Sequence, residues 1–156
     1  PSCVDTNCSS IDGNVYNGSL FYDHGSGAEN GISDIRAPIN SLVGVFLTDS
    51  VPNLFPSPSK LDFQTIGLDF TVLSPQIQQV FFIGDGLTSG DVIQQFLIPD
   101  SATRLFLGTM DGGEWLNNSG AISVDVTQAI PEPETYMMLL AGLGFMAAMS
   151  RRRRIS

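Results

Sequence analysis

The sequence predicts an all-β fold, an antiparallel β-sandwich of the jelly-roll kind, followed by a short C-terminal transmembrane helix. The apolar runs before residue 130 are short, and Gly, Pro and Asn residues separate them. In addition, no helical period of apolar residues appears before residue 136. Short runs between turn residues are typical of two-sheet antiparallel domains.

Seven apolar segments are candidate strands. The last of them alternates most regularly, since positions 122, 124 and 126 are apolar and positions 123, 125 and 127 are polar. Prolines at positions 52, 56 and 58 exclude regular structure from residues 51–59. We therefore expect an irregular N-terminal edge (1–14), a sandwich domain (15–128) and a separate tail (131–156). The predicted strands are 15–22, 42–48, 65–73, 79–83, 92–98, 103–108 and 121–126.

The charge balance limits the class of partner. The chain has 16 acidic and seven basic residues, and two of the acids and four of the arginines lie in the tail. The remaining 14 acids therefore outnumber Arg36, Lys60 and Arg104. Because so acidic a domain repels phosphate backbones, we expect no nucleic-acid partner.

The two cysteines, Cys3 and Cys8, predict a small disulfide loop if the domain lies outside the cytoplasm. Free thiols are the alternative. The first residue is proline and no signal peptide precedes the domain, so we expect a mature form or a fragment that lacks its start.

The tail has three parts: Pro131-Glu132-Pro133, an uncharged apolar segment at 136–149, and Arg151, Arg152, Arg153 and Arg154. As a helix the apolar segment would be roughly 21 Å long, against a hydrocarbon core of roughly 30 Å. Flanking residues, snorkelling arginines and local thinning make up part of the difference. The arginines predict a cytoplasmic C-terminus. The alternative is a buried helix of a soluble domain.

This order of proline motif, apolar helix and arginine cluster resembles the PEP-CTERM sorting signal of exported bacterial proteins. The resemblance implies an exosortase-type processing enzyme and the bacterial membrane as partners. It also implies export to the cell envelope or the extracellular space, with an initial anchor in the inner membrane.

A polar loop at 111–120 holds the strongest candidates for a binding site. Asp111, Glu114, Asn117 and Asn118 offer the hard oxygen ligands that calcium prefers, and Trp115 offers an aromatic plane for a sugar ring. The alternative is a plain hairpin loop with Trp115 packed as a lid on the core. A second candidate is the loop at 23–32, whose polar residues are Asp23, His24, Glu29 and Asn30. Its alternative is a solvated loop.

The segment from Val92 to Val126, together with the run LVGVFLT at 42–48, looks like the PA-IL type of bacterial galactose-binding lectin. That family is a β-sandwich in which calcium bridges protein and sugar hydroxyls. The resemblance implies calcium as cofactor and Asp111, Asn117 and Asn118 as its ligands. It also implies sugar contacts from the earlier loop, for which Tyr22 and His24 are the candidates.

No enzyme is expected. The chain has one histidine, no nucleophile elbow, no phosphate-binding glycine loop and no zinc spacing, and nothing selects a carboxylate pair for glycoside hydrolysis. Two functions remain. The first is a calcium-dependent carbohydrate-binding module that takes extracellular polysaccharide or galactose-containing glycans. The second is a structural matrix protein that keeps the scaffold without sugar binding.

Overall fold

The computed structural model describes residues 21–113 and 121–128. The chain divides into two compact units, 1–122 and 123–156. The described part is mostly strands with few helices, consistent with the predicted all-β sandwich. Its elements are β1 (Phe21–Asp23), β2 (Ile35–Pro38), β3 (Leu42–Leu47), a 3-10 helix (Pro52–Leu54), β4 (Leu61–Asp62), α1 (Phe63–Ile66), β5 (Val72–Leu73), β6 (Val80–Phe82), β7 (Gln95–Phe96) and β8 (Arg104–Thr109).

The largest sheet has the order β6-β3-β8 and is antiparallel throughout. Strand β3 lies in the centre, so Val43 pairs with Phe82 on one side and with Gly108 on the other. The predicted strands at 42–48, 79–83 and 103–108 are confirmed here. Strand β3 is buried at almost every position because it is apolar on both faces, as expected for a central strand.

Two smaller sheets correct the prediction of a wholly antiparallel fold. Strand β2 pairs antiparallel with β1 but parallel with β4, and β5 pairs parallel with β7. Neither β2 nor β4 was predicted. Strand β2 has only four residues, contains Arg36 and ends at Pro38, so its sequence pattern is too short to indicate a strand.

Three predicted strands are wrong in part or whole. Within 65–73 only β5 is extended, because the Asp62 side chain caps α1 and Gly67 ends that helix with a φ of 84°. Within 92–98 only β7 is a strand. Residues 121–126 form no strand, and Val126 is 67% exposed. Of the segment 15–22, the described residues 21 and 22 lie in β1.

A continuous chain of aromatic rings forms the core. Phe46 stacks on Phe81 with ring centroids 5.1 Å apart, and Phe81 contacts Phe96 at 5.2 Å. Phe63, which is fully buried, contacts Phe82 at 5.7 Å and Phe70 at 5.8 Å. Since these rings come from β3, β6, β7 and α1, they connect the largest sheet to the short elements that follow β3.

Buried glutamine amides connect the loops. The Gln78 amide nitrogen donates to the Gly31 carbonyl at 2.6 Å and to the Pro52 carbonyl at 2.9 Å. The Gln94 amide nitrogen donates to the carbonyls of Leu68 and Phe70 at 2.8 and 2.9 Å. These contacts satisfy loop carbonyls that have no place in a sheet ladder.

Candidate functional site

A cleft of about 470 Å³ lies between the loop that follows β1 and the end of β8. It brings together two segments that the sequence singled out separately, since both His24 and Asp111 line it. Glu29 and Asn30 of the first loop line it as well.

The floor of the cleft is apolar. Ile35 of β2, Val43 of β3 and Val80 of β6 line it, together with Met110, which directly follows β8. Ile35 and Met110 are 4% and 2% exposed. The floor therefore rests on strands of two sheets rather than on loops, which fixes its shape.

The rim is polar, and among the described residues that line the cleft there is neither a lysine nor an arginine. Two carboxyl side chains, Glu29 and Asp111, lie on this rim with the polar residues His24, Ser26 and Asn30. Carboxylates accept hydrogen bonds and attract cations. The rim is therefore suited to hydroxyl groups or to a cation and unsuited to an anion.

One backbone hydrogen bond joins the two walls of the cleft, and a second hydrogen bond lies within the wall that contains Asp111. The Gly25 N–H donates to the Gly112 carbonyl at 3.0 Å, and the Gly113 N–H donates to Asp111 Oδ1 at 2.9 Å. A Cβ atom on Gly25 would lie 2.8 Å from the Gly112 oxygen, so this close approach requires glycine. Tyr22 lies beside Gly112, outside the residues that line the cleft.

An ion-pair cluster supports the loop at its start. Arg36 Nη1 contacts Asp23 Oδ2 at 2.6 Å, and the Lys60 ammonium group contacts the other Asp23 oxygen and, at 3.5 Å, Asp34 Oδ2. Asp34 Oδ1 accepts from the backbone N–H groups of His24 and Ile35. The sequence pattern groups Asp23 with the candidate ligand-binding residues. Its carboxylate instead forms ion pairs with the Arg36 and Lys60 side chains.

Two pKa values are shifted in this cluster. The hydrogen bond from Lys60 is the largest cause of the shift and lowers the pKa of Asp23. Burial opposes it, and the contact with Arg36 lowers the pKa further. The hydrogen bond to Asp23 likewise raises the pKa of Lys60. Both shifts favour the charged forms, so the cluster stays ionised at neutral pH.

Several predicted site residues lie outside the described residues. They are Glu114, Trp115, Asn117 and Asn118 of the loop, Cys3 and Cys8, and the tail residues Pro131, Glu132, Pro133 and Arg151–Arg154. Within 21–113 and 121–128, no three His, Cys, Asp or Glu side chains lie close enough to hold a metal ion. The calcium site therefore stays a prediction. The predicted helix at 136–149 also lies outside, and no helix in the described residues is long and apolar enough to cross a membrane.

Residues 129–154 match the family model of the PEP-CTERM protein-sorting motif. No curated protein sequence matches the chain, and no solved structure does. The comparisons therefore give no support to the resemblance to a PA-IL-type lectin. They do confirm the prediction for the tail: the chain carries a PEP-CTERM protein-sorting motif, a membrane-anchored signal for export sorting by an exosortase-type enzyme.

Proposed function

We propose that the body of this exported protein is a calcium-dependent carbohydrate-binding module of the cell envelope or extracellular matrix. The observation that carries the proposal is the cleft, because it combines Asp111, the first predicted calcium ligand, with the loop predicted to contact sugar. A cleft with a few convergent polar groups over an apolar floor is the usual form of a small-molecule site.

The donor set fits calcium in its chemistry. Asp111 lies at the rim, and one of its oxygens accepts a hydrogen bond from the Gly113 N–H. Glu114, Asn117 and Asn118 follow within the same loop and would supply further oxygen ligands. When bound, calcium would hold sugar hydroxyl groups by direct coordination.

The residues of the chain would orient the sugar. His24 at the rim would offer a ring nitrogen to a hydroxyl group, and Tyr22, which lies beside Gly112, would offer aromatic surface. Trp115, four positions after Asp111 in the sequence, is the other predicted aromatic contact. The ion-pair cluster would keep the His24 loop in place, since Asp34 accepts from the His24 backbone. In the initial membrane-anchored state, the domain would lie outside the cytoplasm and the C-terminus inside.

A structural matrix protein without sugar binding is the second candidate. Strand β8 favours it, because this strand lies at one end of the largest sheet and pairs only with β3 among the described residues. Its residues Leu105, Phe106 and Leu107 are 36%, 50% and 40% exposed. An open edge strand with exposed apolar side chains is suited to assembly with other chains.

The test is the melting temperature of the chain with calcium and with a chelator. Ligand that binds the folded state alone stabilises by RT ln(1 + [Ca²⁺]/Kd), about 2.7 kcal/mol at a hundredfold excess over Kd. We expect Asp111→Ala to lose most of this calcium-dependent increase, because it removes a charged ligand.

Asp100→Ala is the matched control, since Asp100 is exposed and does not line the cleft. It should keep the calcium-dependent increase. Asp62 is a poor control because its side chain caps α1. Equal melting temperatures of the unaltered chain in calcium and chelator would contradict the calcium site and leave the matrix protein as the better candidate.

A further inference from the structure

We infer that the cleft selects a neutral sugar that carries a methyl group, in an acetamido or a 6-deoxy substituent, and rejects sugars that carry a carboxylate. The methyl group would lie on the apolar floor and the ring hydroxyls at the rim. The inference rests on the proposed carbohydrate-binding function and specifies its substrate class.

The floor favours a methyl group over a hydroxyl group. Its apolar side chains include Ile35, Val43 and Met110, which are 4%, 8% and 2% exposed. Of the polar residues deep in the cleft, Ser33 already uses its hydroxyl oxygen to accept from the Val80 N–H at 2.9 Å. A hydroxyl group placed on this floor would lose hydrogen bonds to water without full replacement, whereas a methyl group would bury apolar surface.

The rim disfavours a carboxylate. Glu29 and Asp111 both lie there, and none of the lysines and arginines in residues 21–113 and 121–128 lines the cleft. The three basic side chains of the described residues all have partners elsewhere. Arg36 and Lys60 contact Asp23, and Arg104 donates to the Thr48 and Ser50 carbonyls. A uronic acid sugar would therefore meet like charge and no lysine or arginine of the described residues. A calcium ion held by Asp111 and Glu114 would have its two positive charges offset by those two carboxylates, which leaves Glu29 as like charge.

Ring hydroxyl groups fit the same rim. Each sugar hydroxyl can donate to a carboxylate oxygen, and the side chains of Asn30 and His24 add further hydrogen-bonding groups. The volume of about 470 Å³ lies within the range of roughly 300–1,000 Å³ for small-molecule sites, so a substituted monosaccharide fits.

The test compares four sugars of one configuration: galactose, N-acetylgalactosamine, 6-deoxygalactose and galacturonic acid. Each is titrated calorimetrically into the full chain, once with calcium and once with chelator. We expect at least one methyl-bearing sugar to bind about tenfold tighter than galactose, since one apolar group in a pocket is worth about that factor or more. Galacturonic acid should bind weakest. Whichever of N-acetylgalactosamine and 6-deoxygalactose binds tighter than galactose identifies the substituent that the cleft selects.

The outcomes separate this inference from the proposed function. Galactose binding as tightly as both methyl-bearing sugars, or galacturonic acid binding tightest, would overturn the inference and leave the carbohydrate module in place. Binding of none of the four sugars would overturn both. Selective binding that is equal in calcium and chelator would support the inference and refute the calcium dependence.

A substitution on the apolar floor tests whether the methyl group of the sugar binds there. Val80→Thr replaces a methyl group of the floor by a hydroxyl group of similar size, so the preference for the methyl-bearing sugar should fall about tenfold. Val45→Thr is the control, because Val45 pairs with Val80 across the sheet but does not line the cleft. Val43→Thr, on the floor from β3, replaces Val80→Thr if that variant does not fold. An unchanged preference in a folded floor variant would overturn the assignment of the methyl site.

Discussion

The largest sheet and the loop-rich part of the chain, which comprises residues 49–79 and 84–98, hold their backbones in different ways. In the sheet, β3 and β8 pair over six consecutive residue pairs. In the loop-rich part the strands are two residues long, and the carbonyls of Pro52, Leu68 and Phe70 are bound by glutamine side chains instead. One part uses a backbone ladder and the other uses buried amides.

This difference predicts different sensitivities. A backbone ladder distributes its hydrogen bonds over many residues. A single substitution in the sheet should therefore lower the free energy of unfolding only where side chains pack tightly. An amide that binds two loops concentrates two hydrogen bonds in one side chain. The aromatic core belongs to both parts, since Phe46 and Phe81 lie in the sheet and Phe63, Phe70 and Phe96 lie in the loop-rich part.

The largest effect should come from removing the ring that joins the two parts. Phe63 is fully buried between Phe70 and Phe82, so Phe63→Ala should cost about 3–5 kcal/mol of unfolding free energy. Phe55→Ala is the control, because Phe55 is 53% exposed. Urea unfolding of both variants measures the difference, and equal midpoints would show that the aromatic chain does not connect the parts.

Replacing Gln78, which binds two loop carbonyls, should destabilise the loop-rich part strongly. Gln78 has a positive φ of 65°, and Gln78→Leu changes the backbone strain little because leucine, like glutamine, is unbranched at Cβ. The substitution does remove the amide that donates hydrogen bonds to the Gly31 and Pro52 carbonyls. We expect a loss of about 2–4 kcal/mol for two hydrogen bonds. Gln76→Leu on the exposed neighbour is the control. Thermal unfolding of the two variants should separate them, and a Gln78 variant as stable as the control would refute the role of the amide.

In the largest sheet, substitution of Gly44 by alanine should lower the stability, whereas substitution of Gly108 should have little effect. A Cβ on Gly44 of β3 would lie 2.9 Å from atoms of both Phe81 and Ile83, and the Phe81 ring is fixed by Phe46 and Phe96. Gly44→Ala should therefore cost about 1–3 kcal/mol through overpacking. Gly108→Ala in β8 meets no atom within 4 Å and should leave the urea midpoint nearly unchanged. The reverse order would contradict the packing described for β3.

The smallest effect should be the pH dependence of the ion-pair cluster. The folded-state pKa of Asp23 is below its usual 3.8, so its contribution to stability is present above that pH and is lost as the pH falls through the folded value. The pKa of Lys60 is raised above 10.5. On the alkaline side, the ion pair between Lys60 and Asp23 is therefore lost only as the pH rises beyond that value.

Asp23→Asn should therefore lower the melting temperature at neutral pH, and the difference from the unaltered chain should shrink at pH values below 3.8. Asp100→Asn, at an exposed position outside the cluster, should show little difference at either pH. A deficit of Asp23→Asn that is the same at both pH values would mean that the lost contact is not electrostatic.

The sequence by itself determined the sorting motif and the three strands of the largest sheet. The motif is a linear order of proline, apolar and arginine residues, so no tertiary contact is needed to identify it. Each of the three strands contains a short apolar run, and its length together with the flanking Gly and Pro residues favours a strand over a helix. The alternation at 121–126 was equally regular but no strand forms there, because alternation alone does not supply a pairing partner.

Only the tertiary structure decided the parallel pairings, the glutamine contacts and the cleft. Gln78 and Gly31 are 47 positions apart, Lys60 and Asp23 are 37 apart, and the cleft joins His24 to Asp111. Nothing in the local pattern of β2 or of the glutamines predicts such contacts. They exist because chain segments far apart in sequence pack on one aromatic core, and the apolar floor beneath the polar rim follows from that packing.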